Sequence, residues 1–237
     1  MSLRARSRSG GSSYSLTRER RVRPDVIAAA GLPAPPTAGR EIFAGRLDLA
    51  VRYGERLADD GVVRGLIGPA EVPRLWERHL LNCAVITDLV PPAARVVDVG
   101  SGAGLPGLAM ACRRPDLRID LVESLARRVA FLTETVTALG FDDVVRVVHG
   151  RAEAAAVRRV VGDAEWVTAR AVAPLDRLVR WCMPLLRAGG RLLAMKGAQA
   201  EAEVAALGRT ARFGVSIVRC GGEVLDTPVT VVVVQRD

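Results

Sequence analysis

The densest chemistry in the chain lies in Asp98-Val99-Gly100-Ser101-Gly102-Ala103-Gly104-Leu105-Pro106-Gly107. This segment follows a short apolar run and opens a helical pattern, the strand–turn–helix context that a nucleotide-binding turn needs. Glycines there permit positive φ and let a ligand approach the backbone, while amides at a helix start face whatever binds. Two templates fit. Gly102-x-Gly104-x-x-Gly107 matches the dinucleotide fingerprint. The longer Asp98-x-Gly100-x-Gly102-x-Gly104, an acid before three alternate glycines, matches a loop that holds S-adenosylmethionine. Either template asks for an acid at the end of the second strand to accept from ribose hydroxyls, and Glu123 stands there, about 20 residues on. A purely structural turn is the competing reading; the loop and Glu123 together outweigh it.

Two further places could touch a ligand or an acceptor. The third strand ends at His149-Gly150, and Arg151-Ala152-Glu153 follows where the chain passes an adenine edge. There Glu153 could accept from an amino group beside the Ala152 backbone, although an acid in a first helical turn needs no ligand to explain it. The loop after the fourth strand reads Thr168-Ala169-Arg170-Ala171-Val172-Ala173-Pro174-Leu175. It lacks the (N/D)PP(Y/F) pattern of transfer to an exocyclic amino group, and it holds no cysteine for attack on a pyrimidine ring. What fits is an acceptor needing little activation, such as N7 of guanine, whose in-plane lone pair carries no proton to remove. Arg170, and Lys196 at the end of the fifth strand, are the candidate catalytic side chains. His79 reads as a hydrogen-bonded packing residue rather than a catalyst.

The elements that must hold these groups alternate regularly. Strands are expected at Arg95–Val99, Leu117–Val122, Val144–His149, Trp166–Val172 and Arg191–Lys196. Helices are expected at Pro106–Arg113, Leu125–Leu139 with Gly140 closing it, Pro174–Leu186 and Ala198–Leu207. That alternation implies a parallel sheet covered on both faces. Val215–Arg219 and Val229–Gln235 leave no room for a crossover helix, so they must be antiparallel. A Rossmann-like α/β sheet finishing in an antiparallel hairpin is the class I methyltransferase arrangement, and it favours the methyl donor over a dinucleotide. Ahead of it, Glu41–Asp60 and Pro69 or Val72 to Leu89 carry helical spacing and form a short α-helical N-terminal cap.

Bulk composition sets the frame. The 237 residues are 49% hydrophobic and 25% charged, a globular balance, with aromatics at only 4%. No apolar run approaches the roughly 18 residues of a membrane span, and the N-terminus has no secretory h-region. Cys83, Cys112, Cys182 and Cys220 form no metal spacing and read as buried apolar residues in a reducing cytoplasm. The net charge is +8, and seven arginines before Pro24 face the single acid Glu19. Residues 1–38 are expected to be a basic flexible tail and Pro-rich linker, and 39–237 the methyltransferase domain, with the cap at 39–92 and the core at 93–237. Such a tail suits an anionic partner; a solvated tail or a transit peptide has the same composition. Of 34 basic side chains only Lys196 is lysine, which singles it out.

Arg78-His79-Leu80-Leu81-Asn82, the Asp98–Gly107 loop, Arg151-Ala152-Glu153, Arg170-Ala171 and Met195-Lys196-Gly197 occur in an order that strongly resembles one family. It is the small-subunit ribosomal RNA methyltransferase G family, also called glucose-inhibited division protein B, and the resemblance covers about 41–235. It implies S-adenosylmethionine-dependent methylation of N7 of one guanosine in the decoding-region loop of bacterial 16S rRNA. Asp98, Gly100, Gly102, Gly104, Leu105, Glu123, Ala152 and Glu153 would bind the cofactor, with Arg170 near its amino-acid end and the RNA. The expected partner is 16S rRNA, free, in the 30S subunit or in an assembly intermediate, and the chain is expected to be a cytoplasmic monomer with neither metal nor membrane. One departure is Asn82-Cys83, where many relatives read Asp-Ser. The rivals are a nicotinamide oxidoreductase and an RNA-binding module with a vestigial cofactor loop.

Overall fold

A computed structural model describes residues 31–207 and 213–237; the basic segment before Pro24, expected to be a tail, lies outside the described residues. The core is a seven-stranded sheet in the order β3-β2-β1-β4-β5-β7-β6. Its strands are β1 Arg95–Val99, β2 Arg118–Glu123, β3 Val145–His149, β4 Ala164–Arg170, β5 Leu186–Lys196, β6 Phe213–Cys220 and β7 Val229–Arg236. β1 to β5 pair in parallel. β7 inserts antiparallel between β5 and β6. The expected α/β sheet with its terminal hairpin is therefore present, and chain order reverses beside β1 and β4, where open α/β sheets place their ligands.

Helices α1 Thr37–Phe43, α2 Leu47–Ala58, α3 Asp60–Val63 and α4 Asn82–Val85 form the cap, and α5 Gly107–Arg113 and α6 Ala126–Leu139 complete that layer. On the opposite face lie α7 Ala155–Val161, α8 Leu175–Cys182 and α9 Ala200–Ala206. Strand alternation divides the core accordingly: Val96, Trp166, Leu193 and Met195 pack toward the cap, and Val97, Val167, Ala169, Leu192 and Ala194 pack toward α7–α9. Period-two geometry thus decides which layer each side chain at a strand end can reach.

Three local readings need correction. The cap is not two continuous helices: Ala44 takes φ 45°, and the second stretch runs through a 3-10 turn Pro69–Arg74, a π-helix Leu75–Leu81, α4 and a 3-10 turn Ile86–Leu89. Pro73, which lacks an N–H, sits inside that first turn. α7 goes beyond the sequence expectations; it is a single short helix that starts after Ala154 with no side-chain cap to announce it. The Pro-rich stretch is extended but docked, since Trp76 Nε1 donates to Pro33 O at 2.7 Å and Leu32 packs on the core.

Candidate active site

β1 delivers the glycine loop over the carboxyl edge of the sheet. Gly100 N and Ser101 N donate to Val122 O at 2.8 and 3.2 Å, and Ser101 O takes Gly104 N at 2.7 Å. The cap closes the loop from above, where the buried Tyr53 hydroxyl donates to Ala103 O at 2.9 Å. A Cβ on Gly104 would run into Leu108 and lie 2.9 Å from Tyr53 Oη, whereas one on Gly102 would meet only Gly100 O at 3.8 Å. Both residues hold positive φ, 96° and 58°. Gly104 is a packing glycine; Gly102 leaves an open face of backbone.

Asp98 and Glu123 line the loop from below. Asp98 is fully buried; its Oδ2 accepts from Gly107 N at 3.1 Å, and its Oδ1 has no partner among the described residues. Burial pushes the carboxyl up to about 7, against the pull of the Gly107 hydrogen bond, while the Ser101 hydroxyl donates to the Asp98 main-chain O at 2.9 Å. An orphaned buried carboxylate oxygen costs about 1–3 kcal/mol or more, so it marks a place for a donor. Glu123 Oε1 takes Ser124 N at 2.7 Å and Leu125 N at 2.8 Å, and Oε2 takes Gly102 N at 3.0 Å. Each carboxylate oxygen has two acceptor sites, so Oε2 retains capacity for a hydroxyl. Gly150 N donates to Glu123 O at 2.9 Å, which brings the loop after β3 alongside. There Ala152 is buried, and Glu153 sits 3.7 Å from Arg151.

Arg170 and Lys196 reach the same edge but opposite faces. Arg170 pairs in register with Met195, not Lys196. Its guanidinium turns toward the cap: Nη2 donates to Arg78 O at 2.9 Å and to His79 Nδ1 at 2.8 Å, and Nη1 to Cys83 Sγ at 3.2 Å. Lys196 instead turns to the α9 side, where its Nζ donates to Ala173 O at 2.9 Å and to Glu203 Oε2 at 2.8 Å. The same Glu203 oxygen takes Leu175 N at 2.6 Å. The side chain of Lys196 is only 9% exposed. Lys196 is thus turned to the α9 side and pins the loop between β4 and α8, which holds Val172 against Gly100.

A family model described as rRNA small subunit methyltransferase G matches residues 46–220. The chain belongs to that family. A ribosomal RNA small subunit methyltransferase G of Salinispora arenicola is 52% identical over 90% of this chain and 91% of its own length. Another from Corynebacterium efficiens is 49% identical over 92% of this chain and 95% of its own. Among solved structures, the mitomycin 7-O-methyltransferase MmcR superposes with a TM-score of 0.55 at 19% identity, over 84% of this chain and 68% of that one. A protein described as a predicted O-methyltransferase, Atu636 from Agrobacterium tumefaciens, gives 0.52 at 22% identity, over 66% and 79%. The last two speak for the fold alone.

In this rRNA methyltransferase several site residues were not legible in the sequence. Tyr53, Glu71 and Glu203 act across 50, 8 and 28 residues respectively, and no spacing rule points to them. Leu125 is different. It follows Glu123 closely and is one of few large apolar side chains left exposed, at 44%, a signal visible once the strand end is fixed. The departure at Cys83 also gains a meaning, because its sulfur stands where Arg170 needs an acceptor. The four cysteines are free and buried as expected. Burial pushes the Cys83 thiol up to about 11 and those of Cys112 and Cys182 up to about 12, which removes them as nucleophiles.

Proposed function

We propose that the enzyme methylates N7 of a guanosine in the decoding-region loop of 16S rRNA, with S-adenosylmethionine as donor. The observation that carries the donor assignment is the buried Asp98 Oδ1, without a partner among the described residues, at the head of the loop whose Gly102 backbone is open. An ammonium suits that oxygen, and a dinucleotide pyrophosphate, which is an anion, does not. Glu123 Oε2 would take a ribose hydroxyl, Leu125 would cover an adenine face, and the Ala152-Glu153 segment would line its edge. Gly100, Gly104 and Leu105 shape the loop around the ligand. S-adenosylmethionine supplies, when bound, a methyl group on a sulfonium, electrophilic enough for an unactivated ring nitrogen.

The chain's own residues then have a positioning task. Guanine N7 offers a lone pair with no proton to remove, so no general base is required. Correct placement of the base at the β4–α8 loop can supply most of the rate. Arg170 stands at the entry to that loop with its Nε hydrogen and one Nη1 hydrogen uncommitted among the described residues. Each can donate singly to a carboxylate or a phosphate oxygen. The exposed Arg74, Arg78, Arg127, Arg151 and Arg177 follow strand ends or flank Arg170 and would hold RNA phosphates. Lys196 and Glu203 act through the loop that they pin. The test is tritium transfer from labelled donor to 30S subunits, with nucleoside digestion. Label in 7-methylguanosine supports the reading; label in another nucleoside or none overturns it.

A further inference from the structure

We propose that His79, held neutral with its proton on Nε2 by Glu71, is a positioning residue that fixes the Arg170 guanidinium at the methyl-transfer site. This rests on the reading above that Arg170 meets the donor or the RNA.

The hydrogen-bond pattern sets the tautomer. A guanidinium has donors and no acceptor. For Arg170 Nη2 to donate to His79 Nδ1 at 2.8 Å, that nitrogen must carry its lone pair. The ring proton then resides on Nε2, which donates to Glu71 Oε2 at 3.0 Å. Glu71 is held in turn by Arg78 at 3.2 Å. The chain is thus Glu71 carboxylate, His79 imidazole, Arg170 guanidinium, and it ties the cap's 3-10 turn to the end of β4. His79 is largely buried, 13% exposed at its side chain, so the ring has little room to turn.

Both ring nitrogens being committed gives the arrangement a defined way to fail. Protonation of Nδ1 would set an N–H against an N–H and place two cations in contact, and Arg170 would have to leave. The groups facing His79 are Glu71 from the 3-10 turn, Arg170 from β4 and Arg78 from its own helix, with Arg74 acting on Glu71 and Cys83 and Asp98 lying near Arg170. Burial and the Arg170 charge hold His79 below the ordinary histidine range, against the Glu71 hydrogen bond, which raises it. The lock is therefore intact at neutral pH and opens in acid. With His79 protonated, Arg170 would keep only Arg78 O and Cys83 Sγ, against a repelling neighbour.

The decisive comparison uses the full-length enzyme, saturated with S-adenosylmethionine at every pH so that protonation of Asp98 does not limit donor binding, with 30S subunits in single-turnover methylation from pH 5.5 to 8, alongside long-range nitrogen–proton NMR of the two histidines. His79→Asn offers an amide oxygen to Arg170 and does not titrate in this range. It should keep the neutral-pH rate within a few-fold and lose the acid limb seen in the wild type. His79→Ala should lower the rate at least ten-fold at every pH, with little change in donor affinity. The spectra should show an unprotonated Nδ1 at neutral pH, independently of activity. An equal acid limb in wild type and His79→Asn, a wild-type rate for His79→Ala, or a protonated Nδ1 would each overturn the proposal. A His79→Ala protein that does not fold leaves the His79→Asn profile and the spectra to decide. No transfer by the wild type, with the tautomer as stated, would overturn the functional reading and with it the catalytic part of this one.

Discussion

Replacing Asp98 by asparagine separates what this carboxylate costs the fold from what it does for the ligand. Its carboxyl is raised by burial from 3.8 to about 7. A group raised in the folded state leaves stability intact below the unfolded value of 3.8 and removes it as pH climbs through 7. Each tenfold change in proton affinity is worth about 1.4 kcal/mol. The raised carboxyl therefore costs the free protein about 4 kcal/mol at pH 8, where it is ionised when folded, and about 2 kcal/mol at pH 5.5, where it must take up a proton to fold. The replacement amide would keep the Gly107 N–H bond through its carbonyl and leave its NH2 group orphaned, at about 1–3 kcal/mol. Asp98→Asn should then be more stable than wild type at pH 8 by about 1–3 kcal/mol, a Tm gain of a few degrees, and close to wild type at pH 5.5. The same variant should bind S-adenosylmethionine at least ten-fold more weakly, because the ammonium loses its carboxylate. Thermal unfolding at both pH values, with calorimetry of donor binding, checks this. Lower stability than wild type at pH 8, or donor affinity equal to wild type, would refute the assignment.

Gly102→Val and Gly104→Ala should fail in different ways. Gly102→Val costs about 1–2 kcal/mol for its positive φ and folds, but abolishes donor binding, whereas Gly104→Ala meets Leu108 and Tyr53 and should lower the unfolding midpoint before binding is tested. Lys196→Met leaves Glu203 without its cation and should cost about 1–3 kcal/mol together with most of the turnover; equal turnover would exclude the loop-pinning role. Lys196→Arg should also be poorly tolerated, since a larger head must fit where a side chain is 9% exposed. A chain starting at Gly31 should keep full activity and lose only salt-dependent affinity, while one starting at Gly39 also forfeits the Leu32 and Pro33 contacts and should melt lower.

The strands and the glycine loop were legible because their signals are local. Val96, Val97 and Val99 form an apolar run closed by glycine, and Gly140 ends α6 in the left-handed conformation, φ 70°, as its position announced. The cap was legible as helical but not as broken, because apolar spacing cannot distinguish an α-helix from a π-helix with Pro73 ahead of it. Glu123 was placed correctly from chain distance alone. The direction of Lys196 was also available in the sequence: it alternates with Met195, which faces the cap, so it had to face α9. The partners of Arg170 lie 87 to 92 residues away in sequence. Such contacts arise only when the cap folds over the carboxyl edge, and no residue pattern encodes them.

Methylation of one ring nitrogen at one place in 16S rRNA can be read in rRNA from a strain lacking this enzyme, compared with the same strain complemented by wild type or by Asp98→Asn. Borohydride reduction followed by aniline cleaves RNA at 7-methylguanosine. Cleavage in the decoding-region loop should be absent from the deletion strain, restored by the wild-type enzyme and not by Asp98→Asn. An unchanged cleavage pattern in the deletion strain would contradict it.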